Sequence, residues 1–228
     1  ALASLVLIVW IVQALSRVDI VKSTASAAGN VFWIALMLLP DLAAGIVPFA
    51  ILIGAIQALN FGQFIAVWLG LALYLTSPEM GYGTDTVGYL AGLAAISIFS
   101  TPRLGRWADE VGARKARAIF AFCQLAGILL LWPLGGSLWT LIIPLMITNF
   151  VGPGVDVTGR MTFLALDPGV RTRLTTVYVV MMFIGGGIGS YAGTAVYDAF
   201  GWAGTCGLLA LCSLALASLA TAARRFGR

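Results

Sequence analysis

Residues 118–155 read AIFAFCQLAGILLLWPLGGSLWTLIIPLMITNFVGPGV, a run of 38 residues without a charged side chain. Two further uncharged runs follow at 174–197 and 199–223. A helix needs about 20 consecutive apolar residues to cross a bilayer core that is roughly 30 Å thick. These runs therefore predict an all-α fold, that of a polytopic helical membrane protein.

The composition supports the same fold class. Hydrophobic residues make up 61% of the chain and charged residues 10%, whereas soluble domains carry about 25% charged residues. The apolar stretches are long and continuous, unlike the alternating strands of about ten residues in outer-membrane barrels. The chain has no histidine, which excludes histidine-based catalysis and metal binding, and its three cysteines lie inside apolar runs. We therefore expect no enzymatic activity, no cofactor and no metal.

The apolar runs divide into about eight membrane segments. We place a weak turn at the polar stretch 57–63, the end of the fourth segment at Thr101-Pro102, and a charged loop at 103–117. Pro133-Leu-Gly-Gly-Ser137 predicts a tight turn within the longest run, and Gly201-Trp202 another. The predicted segments are about 2–18, 30–59, 61–77, 86–101, the two runs on either side of 133–137, 174–197 and 203–222.

Positive charge predicts the orientation. Lysine and arginine concentrate in 103–117, 160–173 and 224–228, whereas the alternate loops from residue 78 onward carry only acidic residues. The positive-inside rule places the basic loops and the C-terminus in the cytoplasm, which predicts a multi-pass protein of the bacterial inner membrane. This pattern indicates lipid as a partner and argues against nucleic acid. The chain begins at Ala1 without methionine, and we expect it to be a fragment.

The loop 103–117 contains the sharpest motif. Its small and charged residues are Gly105, Asp109, Gly112, Arg114 and Lys115. Glycines let helix ends approach closely, and a carboxylate can accept hydrogen bonds at a neighbouring helix N-terminus. A simpler interpretation is an ordinary basic loop beside the membrane.

The spacing of this motif resembles the loop signature of the major facilitator superfamily, with Trp107 at a position that is usually aliphatic. Other stretches are similar to the C-terminal half of drug/proton antiporter-type members. The resemblance covers about 61–228 and implies a six-helix half of a rocker-switch transporter, a small-molecule substrate and an ion gradient. It also implies a conformational gate at the loop motif, and a second half or copy as partner. The similar stretches are FGQFIAVW at 61–68, GYG at 81–83, FLALDP at 163–168 and RTRLTTVY at 171–178.

Residues 1–60 are similar to a different family. VWIVQ at 9–13, LLP at 38–40 and PFAILIG at 48–54 resemble the first two spans of lipopolysaccharide-export permeases of the LptF/LptG type. The two resemblances divide the chain into a permease-like region at 1–60 and a facilitator-like region at 61–228. The alternative function is therefore a membrane subunit of a lipid exporter that a separate ATPase powers.

Four residues are candidates for proton or substrate contacts. Asp156 lies near the end of the sixth segment, and Arg160 is four residues later on the same helix face. An ionisable group at membrane depth is a functional candidate, although an interfacial Asp156–Arg160 ion pair is an equally simple interpretation. Asn149 and Gln124, together with Gln63, can line a polar cavity or join helices.

Glycines mark one face of the seventh segment. Gly185, Gly189 and Gly193 are four residues apart, so they share a helix face and permit close helix packing. The same face can also serve as a sliding surface during a conformational change.

Overall fold

A computed structural model of the chain describes residues 46–164 and 168–225. The chain divides into two compact units, Ala1–Val47 and Pro48–Arg228, and the second contains nearly all of the described residues. The predicted segment 2–18, most of the segment 30–59 and the first permease-like stretches lie outside the described part. The division at residues 60 and 61 stays a prediction.

All regular structure in the described part is helical. The helices are α1 (Ile46–Leu75), α2 (Thr84–Ala91), α3 (Ile96–Val111), α4 (Ala113–Leu131), α5 (Leu138–Leu164) and α6 (Pro168–Arg225). A 3-10 turn at Gly92–Ala95 connects α2 to α3, and α6 contains a bend at Gly201.

Helix α1 corrects the first predicted boundary. The stretch 57–63, predicted as a turn, lies inside this continuous 30-residue helix. Gln57, Asn60 and Gln63 are buried there, at 2–7% exposure. Their polar side chains therefore reflect an interior polar site and not a break between two spans.

Helix α3 corrects the second boundary. It continues through Pro102 to Val111, so the predicted loop 103–117 consists of two helix ends. Proline removes one backbone donor, but side-chain donors bond carbonyls in the same turn. The Thr101 hydroxyl donates to the Ser97 carbonyl at 2.5 Å, and the Arg103 guanidinium to the Phe99 carbonyl at 2.8 Å. Gly112 alone separates α3 from α4. Its φ of 90° is a backbone conformation that favours glycine, which explains the residue type at this break.

The two later turns lie where the sequence predicts them. Residues 132–137 separate α4 from α5, and Gly201, with φ of 63°, interrupts α6. Contacts with α1 show that the chain reverses at Gly201. We call residues 168–200 the first arm of α6 and residues 202–225 the second arm. Gly62 faces Gly185 and Gly189 in the first arm, whereas Gly70 faces Thr205 and Gln63 bonds Ser213 in the second arm. The first arm thus runs parallel to α1 and the second antiparallel to it.

The helix ends form two chemically different faces of the bundle. We define the basic end by Arg103, Arg114, Arg160 and Arg171, and the acidic end by Glu79, Asp85 and Asp198. At the acidic end, the rings of Tyr74 and Trp202 stack with centroids 4.5 Å apart, and the Tyr74 hydroxyl donates to the Gly135 carbonyl at 3.1 Å. These contacts join three chain reversals at that end.

Four helical stretches in the described part are long and apolar enough to cross a membrane. The last has 51 residues and would extend about 76 Å as one straight helix, more than twice the hydrocarbon thickness. The reversal at Gly201 divides it into two shorter arms. The structure therefore fits a helical membrane protein, although it does not establish eight segments. The four stretches are Phe49–Leu75, Thr84–Val111, Leu138–Leu164 and Leu174–Arg224.

Close packing of α1 against the first arm of α6 depends on small residues in both helices. A Cβ atom added at Gly185 would meet the backbone of Ala58, and one at Gly189 the backbone of Gly62. Gly193 faces Ala66, with 3.1 Å from an added Cβ to the Ala66 Cα. Both helices thus repeat small residues every four positions, which permits backbone-to-backbone approach.

We predict that Gly189→Ala destabilises the protein by about 1–3 kcal/mol, because the added methyl group must force two backbones apart. The matched control is Gly187→Ala on the same helix, where an added Cβ meets nothing within 4 Å. Thermal unfolding in detergent measures both variants. Equal midpoint temperatures for the two would contradict the packing described here.

Candidate functional site

A cavity of about 300 Å³ lies among α1, α3, α4, α5 and α6. It is bounded by aromatic and aliphatic side chains, including Phe61, Phe64 and Trp68 of α1. The polar side chains that line it include five amides and one carboxylate, an unusual concentration for so apolar a chain. The polar lining residues are Gln57, Asn60, Gln63, Ser97, Gln124, Thr148, Asn149 and Asp156.

Helix α1 contributes three of the amides. Gln57, Asn60 and Gln63 are three residues apart, so the helical repeat brings them to neighbouring positions along one side. The Asn60 amide donates to Gln57 Oε1 at 3.5 Å and to the Gly152 carbonyl at 3.4 Å, and both contacts are long. Asn60 therefore links α1 loosely to α5 beside the cavity.

Helix α5 contributes polar groups around two prolines. The Thr148 hydroxyl donates to the Pro144 carbonyl at 3.0 Å, and Asn149 Nδ2 donates to the Leu145 carbonyl at 2.8 Å. Pro153 has no backbone N–H, so it cannot donate to the Asn149 carbonyl four residues earlier. This part of the wall thus presents the Asn149 backbone carbonyl as well as polar side chains.

Two of the amides have unmet hydrogen-bonding capacity. Gln63 Oε1 accepts a 2.9 Å hydrogen bond from Ser213, but Gln63 Nε2 is buried without a partner in the described part of the chain. Gln124 Oε1 is likewise buried and unpartnered there. Buried polar groups are normally satisfied, so these two atoms require an explanation.

Asp156 is held at the cavity wall by two neighbours. Arg160 Nε lies 3.1 and 3.0 Å from its two carboxylate oxygens, and the Tyr178 hydroxyl donates to Oδ1 at 2.8 Å. The Arg160 guanidinium also lies over the Tyr178 ring, 5.6 Å from its centroid. The predicted ion pair is therefore present, and the same carboxylate also lines the cavity. We call Asp156, Arg160 and Tyr178 the carboxylate clamp.

Arg117 is the residue that the sequence interpretation placed wrongly. It was grouped with the loop cations, but its side chain is 1% exposed and lies inside the bundle. Its guanidinium donates to the Thr158 carbonyl at 2.6 Å and to the Thr162 hydroxyl. Because it follows Gly112 by little more than one helical turn, the motif that begins α4 also positions a buried cation against α5.

The predicted gate residues lie together at the basic end. Gly105 and Asp109 are in α3, Gly112 is the break, and Arg114 and Lys115 begin α4. Asp109 is exposed, and within the described residues its side chain makes no hydrogen bond. Around them, the rings of Trp107 and Phe120 lie 5.4 Å apart and join α3 to α4. A gating role for these residues stays a prediction.

The structure brings three of the four predicted contact residues, Gln124, Asn149 and Asp156, to one cavity. Arg160 reaches it only through Asp156. Sequence reasoning missed Gln57 and Asn60 as site residues because it assigned them to a turn. Their spacing of three residues within an uncharged run was the available signal for a polar helix face.

Comparisons with known proteins point to transport. The chain is 28% identical over 170 residues to "Uncharacterized transporter YgaY" of Escherichia coli O157:H7, which covers 75% of this chain and 43% of that protein. It is 31% identical over 155 residues to "Probable transporter SCO4007" of Streptomyces coelicolor, covering 66% of this chain and 35% of that protein. The chain is thus similar to proteins that are named transporters.

Two facts limit the reach of these similarities. No family model matches the chain. The chain also spans less than half of the length of the curated relatives it matches, with 43% and 35% covered. The similarity therefore covers only part of proteins that are named transporters.

We predict that Tyr178→Phe lowers the free energy of unfolding by about 1.5–3 kcal/mol, because the carboxylate of Asp156 loses a charge-assisted hydrogen bond. Tyr191→Phe is the matched control on the same helix, since Tyr191 is 78% exposed. Thermal unfolding of the two variants in detergent provides the measurement. An unchanged midpoint for Tyr178→Phe would show that the hydrogen bond from Tyr178 to Asp156 contributes no stability.

Proposed function

We propose that this chain is part of a secondary transporter of the major facilitator type, which exports a small molecule in exchange for protons that enter down their gradient. The observation that carries the proposal is the interhelical cavity, where five amides and one carboxylate converge in an otherwise apolar bundle. Polar groups are expensive in a membrane interior, so their concentration at one cavity favours a substrate site.

The helix arrangement supports the transporter type. In this proposal the described helices make six passes, with the two arms of α6 counted separately and α2, the 3-10 turn and α3 counted as one: α1, α2–α3, α4, α5 and the two arms. Six passes is the size of one facilitator half. We propose that the other half of the transport pathway comes from a second chain, a second copy or a longer form of this chain, because the curated relatives are more than twice as long as the matched region.

The basic end supplies the proposed gate. In this proposal Gly112 is the hinge between α3 and α4, and Asp109, Arg114 and Lys115 stabilise one access state. The carboxylate clamp is the proposed proton site, since protonation of Asp156 would weaken its attraction to Arg160. Arg117 fastens α4 to α5 at the same end and would move with the gate.

The alternative proposal is a membrane subunit of a lipid exporter. It is supported only by the resemblance of residues 1–60, most of which lie outside the described part. Copurification of the chain with an ATPase and lipopolysaccharide would favour this alternative over secondary transport.

We predict that the cavity can be reached from both sides of the membrane, as alternating access requires. The probe is the membrane-impermeant methanethiosulfonate ethyltrimethylammonium, applied to Ser97→Cys, a cavity position, after the native cysteines are replaced by alanine. Labelling is expected in both right-side-out and inverted vesicles. The matched control is the neighbouring Ile98→Cys, whose side chain is 70% exposed on the bundle surface and should face lipid.

The outcome of this labelling separates three cases. Labelling of Ser97→Cys from both sides, with Ile98→Cys unlabelled, supports a transport pathway. Labelling from one side alone would indicate a closed-ended pit, and labelling from neither side would indicate a buried structural cluster. Either of the last two results overturns the proposed function.

We predict that Asp156→Asn changes the rate of this labelling from one side at constant pH, because the neutral amide no longer attracts Arg160 as the carboxylate does and the carboxylate clamp loosens. The matched control is Asp198→Asn, which removes an exposed carboxylate at the acidic end and should leave the labelling rate unchanged. An unchanged labelling rate in Asp156→Asn would remove Asp156 from the proton pathway.

A further inference from the structure

The charge of the cavity wall is already balanced. Asp156 is its only carboxylate among the described lining residues, and both of its oxygens face Arg160 Nε at 3.0–3.1 Å. Tyr178 donates a further hydrogen bond to the same carboxylate. A cationic ligand would have to compete with Arg160 for this carboxylate, and an anionic ligand would meet no cation among the described lining residues. The wall therefore favours a ligand without net charge.

The unmet hydrogen-bonding groups of the cavity are complementary in kind. Gln63 Nε2 is a donor and Gln124 Oε1 an acceptor, and neither has a partner in the described structure. The two side chains are 2% and 4% exposed, yet both line the cavity. A ligand that carries one acceptor and one donor would satisfy both groups. Leaving a buried amide without a partner costs free energy, so binding of such a ligand would be favoured.

The two amides differ in their freedom to turn toward a ligand. Ser213 bonds the Gln63 oxygen and so holds this amide in place, with its nitrogen unpartnered in the described structure. The terminal torsion of glutamine has a broad energy minimum, so the Gln124 amide can rotate more easily. Gln124 Oε1 lies beside Gly152, 3.9 Å from the position of an added Cβ, where no side chain fills the space.

The rest of the wall has the character of an aromatic binding site. The ring centroids of Phe61 and Phe64 lie 6.2 Å apart, and those of Phe64 and Trp68 lie 6.4 Å apart. Aromatic pairs at such spacing offer faces and edges to a flat apolar ligand. An aromatic body and one neutral donor–acceptor group are thus the two features that the wall can recognise.

Building on the proposed function, we propose that the cavity binds uncharged aromatic molecules of the carboxamide class. The carbonyl oxygen of the ligand accepts a hydrogen bond from Gln63 Nε2, and its N–H group donates to Gln124 Oε1. The aromatic body packs against Phe61, Phe64 and Trp68.

Four probes of nearly the same shape test this proposal. They are 2-naphthamide, its methyl ketone 2-acetonaphthone, the cation 2-naphthamidinium and the anion 2-naphthoate. Equilibrium dialysis against the purified chain in nanodiscs, with empty nanodiscs subtracted, measures binding without requiring transport. We expect 2-naphthamide to bind about tenfold more tightly than each of the other three, a ratio that corresponds to one buried hydrogen bond.

Two variants assign the roles of the amides. Gln124→Met should weaken binding of 2-naphthamide about tenfold and leave 2-acetonaphthone unchanged, because only the amide has an N–H group to lose. Gln63→Met should weaken both ligands by a similar factor, since both present a carbonyl oxygen. Thr205→Val, which removes a buried hydroxyl on α6 outside the cavity lining, controls for general damage to the fold.

The ratio between probes keeps the test independent of folding, because partial unfolding lowers the apparent affinity for all of them equally. Tighter binding of 2-naphthamidinium or 2-naphthoate than of 2-naphthamide would overturn the proposed ligand class, as would an unchanged ratio in Gln124→Met. Those results would leave the two-sided labelling of Ser97→Cys unaffected. Failure of the labelling alone would instead overturn transport.

Discussion

The structure depends on one constraint: in a lipid environment, polar groups must find partners inside the protein. Most hydroxyl groups in the described helices meet this constraint locally, as Thr148, Thr158 and Thr194 do by donating to carbonyls three or four residues earlier. Some amides and charged groups reach farther, as Gln63 and Arg117 do by bonding across helices. Their positions therefore mark where the bundle is held together and where it stays incompletely satisfied.

The bundle combines a close-packed helix interface with polar contacts that are less tightly packed. Glycine-mediated packing of α1 against α6 brings backbones so close that no side chain fits between them. The cavity also lies along α1, where the polar lining side chains are amides. Two amide atoms of the lining, Gln63 Nε2 and Gln124 Oε1, have no hydrogen-bond partner in the described structure. At the basic end, Arg117 and the carboxylate clamp connect α4, α5 and α6 through a few polar bonds, which can exchange more readily than a close-packed interface.

The sequence predicted what hydrophobicity and glycine control. The helical class, the turn at 133–137 and the reversal at Gly201 follow from apolar length and from residues that tolerate unusual backbone angles. It failed where polar residues occur inside a helix. Polarity at 57–63 predicts a turn and charge at 103–117 predicts a loop, because polarity alone does not distinguish an exposed segment from an interior site. The approach of Gln63 and Ser213, 150 residues apart, depends on tertiary packing that no local pattern encodes.

The central claim is that the helices cross a bilayer and separate the basic end from the acidic end. The most direct test is the sidedness of labelling by a membrane-impermeant maleimide at Lys115→Cys and Glu79→Cys, two exposed positions at opposite ends of the bundle. The account predicts that Lys115→Cys reacts only in inverted vesicles and Glu79→Cys only in right-side-out vesicles. Reaction of both positions from the same side would contradict it.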